Sequence, residues 1–159
     1  MAVGRWQEQW ARVQRLYDRL NQLSVGKPAP VDAEAELDDT YSFFLHCYHL
    51  KDWLKNDPSS GKTAQEIESL VTKIPDLALC ADIANSVKHL TLNRPPRSGA
   101  LPGTLVPPRF DTKAMETFAF DGEEKFFTSS IIYIEHAGAL LPVVRIAQRA
   151  VMAWRRFVT

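Results

Sequence analysis

Long apolar runs and cysteines are both scarce in this 159-residue sequence. No stretch of about 18 consecutive apolar residues is present, which argues against a membrane-spanning helix. The two cysteines, Cys47 and Cys80, are too few for a disulfide framework, and the N-terminal residues lack the apolar segment of a secretion signal. We therefore expect a cytoplasmic protein that makes no membrane contact.

Motifs of the common catalytic classes are missing as well. The sequence has no glycine-rich phosphate loop, no Gly-x-Ser-x-Gly elbow and no paired Cys-x-x-Cys motif. Its 19 basic and 19 acidic residues balance to a formal net charge of zero, which argues against a protein that coats nucleic acid through bulk charge. The sequence predicts no cofactor and no resident metal.

Apolar periodicity predicts a helical core over residues 5–92. Residues 5–24 carry apolar side chains at three- and four-residue steps, and residues 33–56 are apolar on nearly every side, which places the second helix at the centre of a bundle. Thr63 and Glu66 form a capping box at the start of a third, short helix. Asp76 is expected to cap a fourth helix that runs to about Leu92.

The C-terminal part has a different character. Residues 93–112 contain five prolines and two glycines and are predicted to form a long loop. Residues 115–121 and 125–134 are predicted as two strands of a β element over 113–138, and residues 142–158 as a closing helix. The fold class is therefore a single, mainly α domain (1–159): a bundle of about five helices with a small antiparallel β element before the C-terminal helix.

Histidines on the second helix form the first candidate site. His46 and His49 are three residues apart and therefore share one helix face, where they are able to hold a metal ion together. Two ligands do not complete a metal site. The simpler interpretation is that both rings bond to neighbouring groups in the protein, as buried polar groups normally do.

Polar residues on the fourth helix form the second candidate. Its polar side carries Asp82, Asn85, Lys88 and His89. The simpler interpretation of these residues is a plain solvent-exposed helix face. The second helix offers His49, Lys51 and Asp52 near its C-terminal end. If the two sets meet in a groove or a dimer interface, an imidazole, a carboxylate and an amine converge, and such a group is suited to acid–base chemistry.

The last helix carries four arginines and no acidic residue. They are Arg145, Arg149, Arg155 and Arg156. The common interpretation of such a run is a solvated helix face. The alternative is a surface that contacts a partner.

The segment Ala84-Asn85-Ser86-Val87-Lys88-His89 resembles the R-N-x-x-x-H motif of HEPN domains (the higher eukaryote and prokaryote nucleotide-binding superfamily). Asn85 and His89 match the motif, and Ala84 stands in the place of its arginine. HEPN domains are helical bundles, many of them are metal-independent ribonucleases of defence or toxin systems, and they usually act as dimers. The string His49-Leu50-Lys51-Asp52-Trp53 is also similar to segments of uncharacterised phage and bacterial proteins.

The resemblance implies a HEPN-like domain, acting as a homodimer, that binds RNA or a nucleotide and cleaves RNA as a hydrolase. The predicted catalytic residues are His89 as acid or base, Asn85 to position it, Lys88 to bind phosphate, and His49 and Asp52 from the second helix. The alternative is a non-catalytic interaction subunit of a phage or bacterial defence system, whose basic C-terminal helix contacts a protein partner. A third hypothesis is a small-molecule site under residues 93–112.

Overall fold

Five helices form the body of the protein. The computed structural model describes residues 5–25, 27–28, 32–89, 97–98, 109–120, 123–136 and 138–159. The helices in these ranges are α1 (Arg5–Val25), α2 (Ala33–Asn56), α3 (Ala64–Lys73), α4 (Pro75–His89) and α5 (Val143–Val158), with a short 3-10 helix at Pro58–Ser60. A small antiparallel sheet precedes α5, so the predicted fold class is confirmed.

The sheet is organised around one long strand. Strand β3 (Glu123–His136) pairs with β2 (Arg109–Phe120) along one edge, and with β1 (Lys27–Pro28) and β4 (Ala139–Pro142) on the other, all antiparallel. The β2–β3 register begins with Arg109 opposite Tyr133 and shifts at a bulge between Met115 and Phe118. The strand β4 was not predicted; it follows the turn at Gly138, which has a positive φ of 78°.

Strand β2 begins inside the range predicted as a loop. The assignment of 109–112 to that loop was wrong, because these residues pair with Ser130–Tyr133. The physical reason is that proline has no backbone N–H to donate to a neighbouring strand. Pro108 is the last proline of the segment, so regular strand pairing is available from Arg109 onward. Of the rest of the predicted loop, only residues 97 and 98 lie within the described residues.

Helix α2 lies at the centre, as its sequence pattern predicts. Phe43, Phe44 and Leu50 are completely buried and Leu54 is 1% exposed. Side chains on several faces of α2 are buried because α1, α3, α4 and α5 all contact it. The two cysteines are free and fully buried, Cys47 on α2 and Cys80 on α4.

The helix ends follow local chemistry. Asp32 caps α2 by accepting hydrogen bonds from the N–H groups of Glu34 and Ala35, and the capping box of Thr63 and Glu66 is present at the start of α3. The expectation that Asp76 caps α4 was wrong by two positions, because α4 begins at Pro75 and the carbonyl of Ile74 accepts its first hydrogen bond. Proline suits the first helical position, so Asp76 falls in the first turn.

Helix α5 is strongly amphipathic. One face is buried by Val143, Ile146, Ala147, Ala150, Val151 and Trp154. Within the described ranges, none of the helices combines the length and the apolar character needed to cross a membrane.

Candidate functional site

A charged cluster joins three parts of the chain around one carboxylate. It consists of Lys51, Asp52 and Lys55 from α2, Glu68 from α3, and Arg97. Lys51 Nζ lies 3.0 Å from Glu68 Oε1, Lys55 bonds to the same oxygen, and Arg97 Nη1 lies 3.0 Å from Glu68 Oε2. Asp52 is the weaker acceptor, 3.6 Å from Lys51 Nζ and 3.5 Å from Lys55 Nζ.

Three cations hold Glu68 in its charged form. Partial burial raises the pKa of the Glu68 carboxyl, but hydrogen bonds from Lys55, Lys51 and Arg97 outweigh burial and lower the pKa to about 2. Burial likewise lowers the pKa of Lys51, yet its bond to Glu68 and the neighbouring Tyr48 and Asp52 leave that pKa above the ordinary value. A carboxylate with so low a pKa is a poor general base at neutral pH.

The ring of Tyr48 supports two of these cations. Lys51 Nζ lies 4.7 Å and Arg97 Cζ 5.9 Å from the ring centroid, within the range of cation–π attraction. Lys51 is only 8% exposed. The aromatic ring and the carboxylate together compensate for the burial of its ammonium group.

Asp82 fastens residues 97 and 98 to α4. Its Oδ1 accepts a hydrogen bond from the Arg97 N–H at 2.7 Å, and its Oδ2 accepts from the Ser98 N–H at 2.9 Å and from the Ser98 hydroxyl. Asp82 is 2% exposed, so the interpretation of this position as part of a solvent face was wrong. The reason is that residues 97 and 98 cover this side of α4, a contact between segments distant in sequence.

Arg97 therefore links the two polar sets that the sequence singled out. Its backbone N–H bonds to Asp82 on α4, and its guanidinium reaches Glu68 beside Lys51. The resulting arrangement, which we call the clasp, comprises Asp82, Arg97, Ser98 and Glu68. Each of its two carboxylates accepts three hydrogen bonds, and two of those to Glu68 come from Lys51 and Lys55 outside the clasp. The clasp is therefore a structural contact rather than an acid–base pair.

A second network fixes the state of His46. Gln9 is 1% exposed, and its Nε2 donates to the His46 carbonyl at 3.0 Å while its Oε1 accepts from Arg12 Nη1 at 2.9 Å. A carbonyl only accepts and a guanidinium only donates, so the orientation of the Gln9 amide is fixed. Gln9 Nε2 must then donate to His46 Nδ1, 3.1 Å away. His46 is thus neutral, with its proton on Nε2.

This tautomer argues against the metal hypothesis for His46 and His49. A metal at Nε2 of His46 would require the proton to sit on Nδ1, where it would face the donor of Gln9. Burial, the charge of Arg12 and the nearby His49 all lower the pKa of His46. Among the described residues no group of three or more potential ligands is close enough to hold a metal ion.

The predicted catalytic residues are distributed as follows. His49 is half-buried with its ring centroid 5.9 Å from that of Tyr48, and Asp52 belongs to the charged cluster. Asn85 is half-buried, and Ala84 is 2% exposed in the bundle core. The side chains of Lys88 and His89 lie outside the described residues. The meeting of His49 with His89 therefore stays a prediction.

The outer side of α5 presents what we call the arginine face: Arg145, Gln148, Arg149, Met152, Arg155 and Arg156, all exposed. Arg149 Nε lies 3.3 Å from Asp76 Oδ1. Burial raises the pKa of Asp76, against the opposing effect of Arg149. The other three arginines make no ion pair within the part of the chain that the structure describes.

Sequence reasoning missed Gln9, Glu68, Arg97 and Ser98. One signal was available: Asp82 is the single charged residue between Leu77 and Ala84, where every neighbour is apolar, and a charge in such a run needs a partner. Nothing in the sequence identified that partner.

Comparisons with family models, with curated proteins and with solved structures give no match to this chain. The HEPN resemblance thus rests on Asn85 and His89 alone.

Proposed function

We propose that the chain is a HEPN-like helical domain that binds RNA, and that the arginine face of α5 contacts the phosphate backbone. The observation that carries this proposal is the exposure of four arginines on a helix without an acidic residue. Arg145 and Arg156 are eleven residues apart, about 16 Å along the helix axis, and point in nearly the same direction. Arginines so arranged are able to contact successive phosphates of one strand.

The zero net charge of the whole chain is compatible with this surface. Its acidic residues concentrate elsewhere, for example at Asp32, Glu34 and Asp38 around the start of α2. Phosphate contacts depend on local charge, and each one releases counterions on binding. Affinity from about four arginines is expected to be modest and to fall steeply with added salt.

Binding is proposed as the primary activity, and cleavage as a further prediction. The family motif has an arginine where this chain has Ala84, which is 2% exposed in the bundle core. His89 remains the predicted acid or base, positioned by Asn85. Asn85 and His89 are four residues apart on α4 and therefore lie on one side of that helix.

The test measures binding of a labelled, short single-stranded RNA by fluorescence anisotropy over a series of salt concentrations. Each phosphate interaction that a substitution removes should reduce the slope of log K against log salt by about 0.7. We expect Arg145→Gln to weaken binding and lower that slope. Arg19→Gln is the matched control, since Arg19 is exposed on α1 and paired with Asp39. Equal weakening in both variants, or no binding at low salt, refutes the proposal.

The same samples test cleavage by electrophoresis of the RNA. Loss of cleavage in His89→Ala, with RNA binding retained, supports the catalytic prediction. Intact RNA after incubation with the unmodified protein rules out this activity under the conditions used, while leaving the binding result unchanged.

A protein partner is the alternative for the same surface. Met152 is 42% exposed in the middle of the arginine face, and arginine and methionine are enriched in protein interfaces. Met152→Ala discriminates the two functions. It should leave the salt-dependent binding of RNA unchanged, whereas a protein interface centred on Met152 would lose affinity.

A further inference from the structure

We infer that a cavity along the N-terminal half of α1 binds the phosphate group of a small phosphorylated ligand. It is a shallow depression, open to solvent, whose lining within the described residues lies on one side of α1: Gln7, Glu8, Ala11, Arg12 and Arg15. This inference concerns α1 and is independent of the RNA contact proposed for α5.

Arg12 is held in place before any ligand arrives. Its Cζ lies 5.6 Å from the centre of the Trp53 ring, and its Nη1 donates to Gln9 Oε1 at 2.9 Å. Gln9 is itself buried and fixed to His46 by two hydrogen bonds. A cation–π contact with the ring and a hydrogen bond on one edge reduce the entropy that the guanidinium loses on binding. Its remaining N–H groups stay available for oxygen acceptors.

Arg15 provides a second cation one helical turn away. It is exposed, lines the same cavity and makes no ion pair among the residues that the structure describes. Two arginines at this spacing face a common point, and the guanidinium fork matches the oxygens of a phosphate group. The charged cluster differs in this respect, because each of its three cations is already paired with Glu68.

An acceptor at the cavity indicates what else the ligand carries. Glu8 lines the cavity with an exposed carboxylate, which accepts hydrogen bonds and donates none. A ligand N–H or O–H is its expected complement. The ligand class is therefore a phosphomonoester with hydrogen-bond donors, of which a mononucleotide is one form.

The experiment uses the intrinsic fluorescence of Trp53, whose ring lies under Arg12. The protein is titrated separately with inorganic phosphate, pyrophosphate, adenosine monophosphate and a short RNA. We expect saturable fluorescence changes with the small phosphates, weaker for inorganic phosphate, which offers no base or sugar donors. Trp53→Phe should remove the signal, while calorimetry should still detect binding, weakened because the smaller ring holds Arg12 less firmly; this assigns the signal to the site.

Arg15→Gln should weaken binding of adenosine monophosphate about ten-fold or more, because it removes one charge-assisted hydrogen bond. Arg19→Gln, one turn beyond the cavity, should leave it unchanged. Arg15 is exposed, so its substitution preserves folding even if Arg12→Gln does not. Equal effects of the two substitutions, or binding of RNA without any binding of the small phosphates, overturn the inference. If substitutions in the arginine face fail to weaken RNA binding, the proposed function is refuted, but this inference about α1 is unaffected.

Discussion

Asp82→Asn tests whether the clasp contributes to the stability of the whole protein. The substitution keeps the shape of the side chain but removes its charge and replaces one oxygen by an NH₂ group. One backbone N–H, of Arg97 or of Ser98, then faces a donor instead of an acceptor. Because Asp82 is 2% exposed, water does not replace the missing acceptor as long as the clasp stays closed.

The expected destabilisation follows from the three hydrogen bonds. One bond is broken and its donor is left unsatisfied, which lowers the free energy of unfolding by about 1–3 kcal/mol. The other two bonds change from charge-assisted to neutral, which lowers it by about 1 kcal/mol more. Relief from burying a charge offsets part of this sum. We expect a net destabilisation of about 2–3 kcal/mol, a large fraction of the roughly 5–15 kcal/mol typical of a domain.

Urea denaturation followed by circular dichroism measures this destabilisation. With an m-value of about 2 kcal/mol/M, the midpoint should fall by roughly 1–1.5 M urea. Asp52→Asn is the control: the Asp52 side chain is 48% exposed and its ion pairs are long, so removing its charge should cost no more than about 1 kcal/mol. Hydrogen exchange should show faster exchange of the Arg97 and Ser98 amides in Asp82→Asn. A midpoint indistinguishable from that of Asp52→Asn would refute the reasoning.

Three further outcomes are expected. The pKa of Glu68 is about 2, against an ordinary value of 4.5, so its ion pairs contribute stability above pH 4.5 that is lost as the pH falls toward 2. After allowance for solvent screening, the free energy of unfolding should fall by about 1–2 kcal/mol over this range, as measured from urea midpoints at each pH. Glu68→Gln should lack this decrease. The lowered pKa of His46 implies stability that is present above pH 6.5 and decreases below it. In His46→Asn, whose oxygen still accepts from Gln9, urea midpoints should no longer vary over that range. Phe43→Ala should cost about 3–5 kcal/mol in the same denaturation assay.

The helical core could be predicted because its determinants are local. Apolar residues at helical spacing place α2 at residues 33–56, and the capping box of Thr63 and Glu66 marks the start of α3 before any contact is known. These signals lie within a few residues of one another. The strand β4 had no such signal, because its four residues are defined by pairing with β3.

The clasp could not be predicted, because its partners are distant in the sequence. Ser98 bonds to Asp82 across 16 residues, and Arg97 bonds to Glu68 across 29. Periodicity identifies Asp82 as a charge among apolar neighbours but says nothing about which segment covers it. The Gln9–His46 bond spans 37 residues and shows the same limit. A polar residue's partner is a property of the packed bundle, not of its own helix.

The two proposed binding surfaces depend on the bundle core in different ways, and this difference separates them experimentally. Arg12 is positioned through Gln9, which bonds to α2, so any loosening of α1–α2 packing should displace it. The arginine face is positioned by α5 alone, whose opposite side is buried through Trp154 and its apolar neighbours. A substitution that loosens α1 from α2, such as Gln9→Ala, should therefore reduce binding of small phosphates while the salt-dependent binding of RNA by α5 persists. Gln9 does not line the cavity itself, so only its hydrogen bond to Arg12 connects it to phosphate binding.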